Sequence, residues 1–289
     1  MTLRSDDFHF LSNLLKQQSG LIVGEDKIYL LESRLTPLAR KFGLNSIEEI
    51  CVRLRGVGDA KLSEAVVESM TTNESSFFRD TKPFDQFRSV VLPMLLEKNA
   101  AKKSLRIWSA ACSSGQEAYS LAMILQEQGV KLAGWKIEIV GTDLSREMVE
   151  KSKEGVYSQF EVQRGLPIQM LVKYFRQDGD KWKISNDLKE MLTFRTYNLL
   201  SDLTALGMFD VVFCRNVLIY FDAQTKSRVL DAVVRLMLPH GVLFLGGAET
   251  VLGLSEKFKP MEGQRGLYVL ASGQHSSSYS AASSAAATG

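Results

Sequence analysis

The residues from Ile107 to Ala122 read as a strand, a tight turn and the start of a helix, and this unit constrains the fold more than any other part of the chain. Units of this kind hold an adenosyl cofactor in a doubly wound sheet, at the carboxyl ends of the strands. A dinucleotide-binding fingerprint would place three glycines in the turn, but Gly115 stands there alone. The turn therefore lets a ligand approach the backbone closely but lacks a phosphate cradle.

From about residue 88 onward, β-prone and helical patterns alternate. Strands are predicted at Leu105–Ser109, Ile137–Thr142, Phe209–Cys214, Val242–Leu245 and Leu267–Leu270. Helices are predicted at Val90–Lys98, Glu117–Gln128, Ser145–Glu154 and Ala223–Leu238. This alternation indicates an α/β fold with a doubly wound, mostly parallel sheet that helices cover on both faces.

The rest of the chain divides around this sheet. Residues 1–85 show helical patterns and predict a small all-α domain, which the sheet domain follows over 86–272. Residues 157–196 are mixed and polar, and an Asp-Gly pair between two β-capable runs predicts a β-containing insertion with a hairpin. Residues 273–289 are rich in Ser and Ala and predict a flexible tail, because they cannot bury enough apolar surface to become ordered.

The composition argues against several classes of function. A net charge of +2 gives no strong field for binding nucleic acid. The three histidines lack metal-ligand spacing and the three cysteines are widely scattered, so we expect neither a bound metal nor a disulfide framework. No apolar run approaches the length that spans a bilayer, so we expect a cytoplasmic protein without membrane insertion.

Polar residues follow the predicted strands where a doubly wound sheet binds its ligand. Asp143 can either accept hydrogen bonds from ribose hydroxyls or cap the helix that follows it. Asn198 and Leu199 come after a β-capable run, where the asparagine can also simply fix a turn. Arg215 and Asn216 leave an apolar strand directly into the predicted crevice, and packing does not explain them there.

Two further groups are candidates for the reaction itself. Tyr220 places a phenol near the crevice, although it can also be an ordinary half-buried tyrosine. Asn73, Ser75 and Arg79 lie in the polar segment Met70–Asp80 before the sheet, and packing explains them poorly. Arg79 brings a fixed positive charge to the junction between the helical domain and the sheet.

Five motifs in this order closely resemble the CheR family of chemotaxis receptor methyltransferases. They are Thr71–Arg79, Trp108–Leu121, Gly141–Asp143, Asn198–Leu200 and Phe213–Phe221, and the similarity extends over about residues 5–272. The resemblance implies S-adenosylmethionine (SAM) as methyl donor, S-adenosylhomocysteine (SAH) as product, and glutamate side chains of receptors as acceptors. Because SAM has no phosphate, the single glycine of the turn agrees with this donor.

Matching positions imply the residues of the donor site. They are Asn73, Ser75, Arg79, Glu117, Asp143, Asn198, Leu199, Arg215 and Asn216. Glu117 would bind the methionine amino group and Asp143 the ribose. Ser75 replaces the threonine usual in the family, and Gln116 and Ala118 replace a glutamate and a proline beside Glu117.

The implied reaction needs little acid–base chemistry. A glutamate acceptor is already ionised at neutral pH, because its reference pKa is about 4.3, so neither a general base nor a metal is required. Arg79 and Tyr220 are then the candidate catalytic residues, which would orient the acceptor carboxylate by hydrogen bonds.

The helical domain offers a basic stripe formed by Lys27, Arg34, Arg40 and Lys41. Such a stripe is either a solvated face or a docking surface for acidic helices, and it resembles the receptor-facing helix of the family. The hairpin of the insertion looks shorter than in members that bind a tethering peptide at the receptor C-terminus. We therefore expect an enzyme that does not depend on this peptide, and we expect a monomer.

Three alternatives compete with this interpretation. A SAM-dependent enzyme acting on nucleic acid or a small molecule is disfavoured by the charge and by the lack of an Asn/Asp-Pro-Pro-aromatic motif after the Phe209–Cys214 strand. A non-catalytic sensor or scaffold that binds SAM is disfavoured by the intact set of polar residues. A nicotinamide dehydrogenase would need the missing glycines.

Overall fold

Four helices open the chain and pack on one another. They are α1 (Ser5–Ser19), α2 (Ile28–Lys41), α3 (Ile47–Gly56) and α4 (Ala60–Met70). Each contributes at least two fully buried residues to a shared core, for example Leu11, Leu31, Ile50 and Val66. The computed structural model describes residues 3–56 and 58–273. Of the predicted tail, residues 274–289 lie outside the described residues.

The core of the sheet domain begins before the predicted boundary at residue 85. Phe77, Phe78 and Phe84 are buried against the sheet and its helices, whereas the helical core ends at Met70. The boundary predicted at 85 is therefore too late, because the apolar surface of these aromatic residues is covered by the sheet domain.

Strands form a large sheet and a small one. In chain order they are β1 (Ser104–Ala110), β2 (Lys136–Asp143), β3 (Val156–Ser158), β4 (Phe175–Asp178), β5 (Lys181–Ile184), β6 (Leu192–Thr196), β7 (Phe209–Cys214), β8 (Met237–Leu245), β9 (Phe258–Pro260) and β10 (Leu267–Leu270). The large sheet has the order β6-β2-β1-β7-β8-β10-β9. Its first five strands are parallel and β10 is antiparallel to its neighbours, so the prediction of a mostly parallel sheet is confirmed.

Helices cover both faces of this sheet. After α4 they are α5 (Lys82–Gln86), α6 (Leu92–Lys98), α7 (Gln116–Gln126), α8 (Arg146–Glu154), α9 (Gln159–Gln163), α10 (Ile168–Tyr174), α11 (Asn186–Lys189) and α12 (Ala223–Leu236). Successive strand residues point to opposite faces. Thus Ile107 packs in the core with α7, whereas Trp108 packs in the core with α12. The predicted helix at Val90–Lys98 is only partly α-helical, since residues Phe87–Val91 form a π-helical segment.

The strand order reverses between β1 and β7. From β1 the chain adds β2 and β6 on one side and then crosses to place β7 on the other side. At such a switch point the connections leave in opposite directions, which opens a crevice at the carboxyl ends of the two strands.

The small sheet has the order β3-β5-β4 and is antiparallel, so a β-containing insertion is present. The predicted turn is also present, because β4 and β5 pair across Gly179 and Asp180. The predicted end of the insertion at residue 196 is wrong. Leu192–Thr196 pairs in parallel with β2 as the outer strand of the large sheet, where the Phe194 ring packs beside Gly141.

Among residues 3–56 and 58–273, every helix is too short or too polar to cross a bilayer.

Candidate active site

A cavity opens at the switch point between β1 and β7, and its void is about 1130 Å³ when the open mouth is included. All ten residues predicted from the sequence line it: Asn73, Ser75, Arg79, Glu117, Asp143, Asn198, Leu199, Arg215, Asn216 and Tyr220. They come from the segment before the sheet and from the ends of four strands. The fold therefore brings the predicted residues together around one cavity.

The turn after β1 brings the backbone to the cavity. Ala111, Ser113 and Gly115 all adopt positive φ, at 52°, 51° and 88°. At Gly115 an added Cβ would lie 2.9 Å from Ser152 Oγ, so this position needs glycine for space as well as for conformation. Strained backbone at non-glycine residues is typical of ligand-binding turns.

Asp143 ends β2 and holds this turn in place. Its Oδ2 accepts a hydrogen bond from the Ser113 amide at 2.7 Å, and its Oδ1 accepts one from the Ser145 amide at 2.9 Å. Burial raises the pKa of the Asp143 carboxyl, although the hydrogen bonds from these amides oppose that rise. The cap of α8 is Ser145, whose Oγ accepts from the Met148 amide at 3.2 Å, so Asp143 is not the N-cap.

Glu117, in the first turn of α7, is held by two partners. Its Oε1 accepts from Ser109 Oγ and its Oε2 accepts from Arg215 Nη1, both at 2.8 Å. Arg215 also donates from Nη2 to Asp80 Oδ2 at 2.7 Å and to the Arg79 carbonyl at 3.0 Å. Both terminal nitrogens of this buried arginine are thus engaged by the protein, and Arg215 fixes the position of Glu117.

Gln116 does not line the cavity. It is buried, and its Oε1 accepts from Ser114 Oγ at 2.8 Å within the turn. Gln116 therefore faces the turn, and its neighbour Glu117 lies on the cavity wall.

Arg79 and Tyr220 lie on the cavity wall with free donor groups. In the described part of the chain, the Arg79 side chain makes one hydrogen bond, from Nη1 to the Glu74 carbonyl at 2.8 Å. Within residues 3–56 and 58–273, the Tyr220 hydroxyl makes no hydrogen bond to the protein. Positive φ at Phe78 and Asp80, on either side of Arg79, shows that the backbone here is bent sharply.

The sequence did not predict that the helical domain would close one side of the cavity. Ser19, the last residue of α1, and Leu21, in the loop that follows, line the cavity. Asn198 Nδ2 donates to the Gln18 carbonyl at 2.5 Å, and the Ile22 amide donates to the Tyr220 carbonyl at 3.0 Å. These residues are far apart in the chain, and the only local signal is Gly20, whose φ of 79° ends α1.

The asparagine at 198 also fixes a turn, because its Oδ1 accepts from the Leu200 amide at 2.9 Å. Both interpretations of Asn198 are therefore compatible with its place on the cavity wall.

The basic stripe on α2 is not uniform. Lys27, Arg40 and Lys41 are exposed, but Arg34 is half-buried and donates from Nη1 to the Thr71 carbonyl at 2.7 Å. Arg34 thus holds the end of α4, and three of the four predicted docking residues are free for a partner.

No group of His, Cys, Asp and Glu side chains in the described ranges is arranged to hold a metal ion. Cys112 and Cys214 lie near the cavity, where burial raises the pKa of each thiol well above its ordinary value. Both thiols therefore stay protonated and act as packing groups.

Comparison with known proteins agrees with these features. The family model "CheR methyltransferase, SAM binding domain" matches residues 73–267, and "CheR methyltransferase, all-alpha domain" matches residues 6–71. Chemotaxis protein methyltransferase Cher2 of Pseudomonas putida is 39% identical over 265 residues, which cover 90% of this chain and 96% of that protein. Chemotaxis protein methyltransferase 1 of Pseudomonas aeruginosa is 39% identical over 271 residues, which cover 92% and 98%. Two domains matched in order over most of the chain confirm the resemblance drawn from the motifs: the chain belongs to the CheR methyltransferase family, with an all-α domain followed by a SAM-binding domain.

Proposed function

We propose that this protein transfers the methyl group of SAM to glutamate side chains on the cytoplasmic helices of chemoreceptors, forming methyl esters. The observation that carries the proposal is a cavity whose wall holds the acids Glu117 and Asp143 together with the unengaged donors of Arg79 and Tyr220. The named relatives are chemotaxis protein methyltransferases, which supports a role in the same process.

The residues present fit SAM as donor. Asp143 stands at the end of β2, where an acid can accept hydrogen bonds from ribose hydroxyls. Glu117 can accept from an ammonium group, because each carboxylate oxygen has a lone pair beyond the one used by Ser109 or Arg215. When bound, SAM supplies a methyl group that its sulfonium makes electrophilic.

The residues also fit a carboxylate acceptor. A glutamate is ionised at neutral pH and needs no base to remove a proton. Arg79 has four N–H groups beyond the one given to Glu74, and Tyr220 has a free hydroxyl, so both can orient carboxylate oxygens without transferring a proton. The contribution of the protein is then alignment and exclusion of water.

Receptor docking is assigned to the exposed part of the basic stripe, Lys27, Arg40 and Lys41. Acidic helices would be attracted to it, and the contact should weaken as salt rises. The two-residue turn between β4 and β5 leaves a short hairpin in the insertion, so we propose that the enzyme works without a tethering peptide. Measurable binding of a receptor C-terminal peptide would contradict that part.

The test is to measure transfer of labelled methyl groups from SAM to receptor-containing membranes and then to treat the labelled membranes with alkali. Methyl esters release methanol under these conditions, whereas N-methyl groups are stable. We expect volatile label that depends on both enzyme and receptor, with receptor-free membranes as control. Label that survives alkali would refute the glutamate acceptor, and SAH binding without any transfer would support the alternative of a SAM-binding sensor or scaffold.

A further inference from the structure

A single carboxylate, that of Glu249, binds the backbone turn that carries the polar end of β7 into the cavity. We propose that Glu249 is a positioning residue, which holds the segment Arg215–Tyr220 in the shape that methyl transfer requires. The inference rests on the proposed function, because Asn216, Val217 and Tyr220 of this segment line the donor and acceptor cavity.

The carboxylate accepts hydrogen bonds from a series of consecutive amides. Glu249 Oε2 accepts from the Asn216 amide at 2.9 Å, and Oε1 accepts from the Val217 and Leu218 amides at 2.9 and 2.8 Å. The Ile219 amide lies 3.4 Å from the same Oε1. Glu249 is 9% exposed, so water replaces few of these bonds.

The segment needs such a partner because its backbone cannot satisfy itself. The Asn216 and Val217 amides follow the end of β7, and the Leu218 and Ile219 amides are the first two of a short 3₁₀ turn at Leu218–Tyr220, so none of them has a strand or helix partner. Asn216 also adopts a φ of 59°, in the left-handed region. Buried and partly buried amides without acceptors would favour another conformation, and the carboxylate removes that preference.

The turn after β8 is shaped to deliver this carboxylate. The Glu249 amide donates to the Gly246 carbonyl at 3.0 Å, and the Gly246 amide donates back to Glu249 Oε2 at 2.6 Å. A Cβ at Gly246 would lie 2.6 Å from Oε2 and 3.0 Å from the Asn216 amide nitrogen. Gly246 therefore leaves the space in which the carboxylate reaches the segment.

A carboxylate is required, and an amide of the same shape does not replace it. In Glu249→Gln one of the two oxygens becomes an NH₂ group, which donates and cannot accept. Whichever side it takes, it faces at least two backbone N–H groups. Glu256→Gln makes the same chemical change at an exposed position of the same connection between β8 and β9 and is the matched control.

The first experiment measures hydrogen exchange of residues 214–221, SAH affinity by calorimetry, and the kcat and KM of methyl transfer, at a temperature where all variants are folded. For Glu249→Gln we expect exchange of this segment about tenfold faster, since lost hydrogen bonds to a charged group are worth a factor of about ten or more. We expect kcat to fall about 100-fold, as for an active-site displacement of about 1 Å, with a smaller rise in KM. Glu256→Gln should match the wild type.

Gly246→Ala tests the same idea without removing the acid. Its control is Gly247→Ala, where an added Cβ meets nothing within 4 Å. We expect Gly246→Ala to reproduce the faster exchange and the lower kcat, and Gly247→Ala to change neither. If both Glu249→Gln and Gly246→Ala lower only the unfolding midpoint, with exchange, affinity and kcat equal to their controls, the positioning role is refuted.

These readouts separate the two proposals. If the wild-type protein forms no methyl ester, the proposed function fails, but exchange and SAH affinity still decide the role of Glu249. If methyl esters form and Glu249→Gln forms them at the wild-type rate, only the positioning role fails.

Discussion

Arg215 ties three parts of the site together, and its replacement by methionine should destabilise the protein by about 4 kcal/mol. Methionine keeps much of the apolar volume but removes the charge and the donors. The side chain of Arg215 is 1% exposed, so nothing from solvent replaces its contacts. The change therefore deprives three hydrogen-bonding partners of their donor, namely Glu117, Asp80 and the Arg79 carbonyl.

The largest share of the expected destabilisation comes from Glu117. It is 12% exposed and loses its cationic partner at 2.8 Å, and breaking such a buried pair costs roughly 3–5 kcal/mol. We take the lower end, about 3 kcal/mol, because the hydrogen bond from Ser109 Oγ remains. Asp80 is 53% exposed, so its pair contributes at most about 0.5 kcal/mol. The Arg79 carbonyl loses one hydrogen bond, worth about 1 kcal/mol.

The assay is urea unfolding, with Arg88→Met as control because that arginine is exposed and lies 4.0 Å from Asp85. We expect the control to change the free energy of unfolding by less than about 0.5 kcal/mol. Glu117→Gln combined with Arg215→Met should be more stable than the sum of the single changes predicts, because the unpaired acid is gone. An Arg215→Met variant within about 1 kcal/mol of the control, or a double mutant with no coupling, would refute the reasoning.

Three further predictions concern single positions. Asp143→Asn should weaken SAH binding about 10- to 100-fold in calorimetry, since the new NH₂ group cannot accept and must face either the Ser113 amide or the Ser145 amide, which leaves fewer acceptors for a ribose hydroxyl. Unchanged affinity would remove Asp143 from the donor site. Gly115→Ala should destabilise the fold by about 1–3 kcal/mol in urea unfolding because of its φ of 88°, and a neutral effect would contradict the need for glycine. Burial opposes ionisation of Asp210, but hydrogen bonds, first of all from His240, outweigh it and lower the pKa of that carboxyl from 3.8. The contribution of Asp210 to stability is therefore full above pH 3.8 and is lost as pH falls through the lowered pKa. The free energy of unfolding of the wild type should exceed that of Asp210→Asn by less in acid than at neutral pH. A difference that does not change with pH would contradict this assignment.

The sequence predicted the fold and the candidate site best where the evidence is a pattern of neighbouring residues. The strand–turn–helix unit around Gly115 and the polar residues at strand ends, such as Asp143, follow from periodicity and from the geometry of doubly wound sheets. The ordered motifs identified the family, and the same positions converge on one cavity. The alternative role of Asp143 as a helix cap needed coordinates, because Ser145 two residues later serves equally well in sequence.

Contacts between distant segments could not be predicted. Glu249 lies 30 to 33 residues from the amides it binds, and Gln18 lies 180 residues from Asn198. No periodicity links such partners, since each is set by how separate elements pack. The two wrong boundaries have the same origin. The sequence around Phe77 reads as part of the helical domain and that around Leu192 as part of the insertion, but both residues pack in the sheet domain.

The measurement that tests the central claim most directly is tandem mass spectrometry of receptor peptides after reaction with the wild-type protein and with Arg79→Ala. The wild type should place the added methyl group on glutamate side chains, and alkali should remove it. Arg79→Ala, which still has Glu117 and Asp143 for the donor, should bind SAH but leave the glutamates unmodified. A methyl group on another side chain, or full glutamate modification by Arg79→Ala, would contradict the assignment of this cavity as a site for methylating carboxylates.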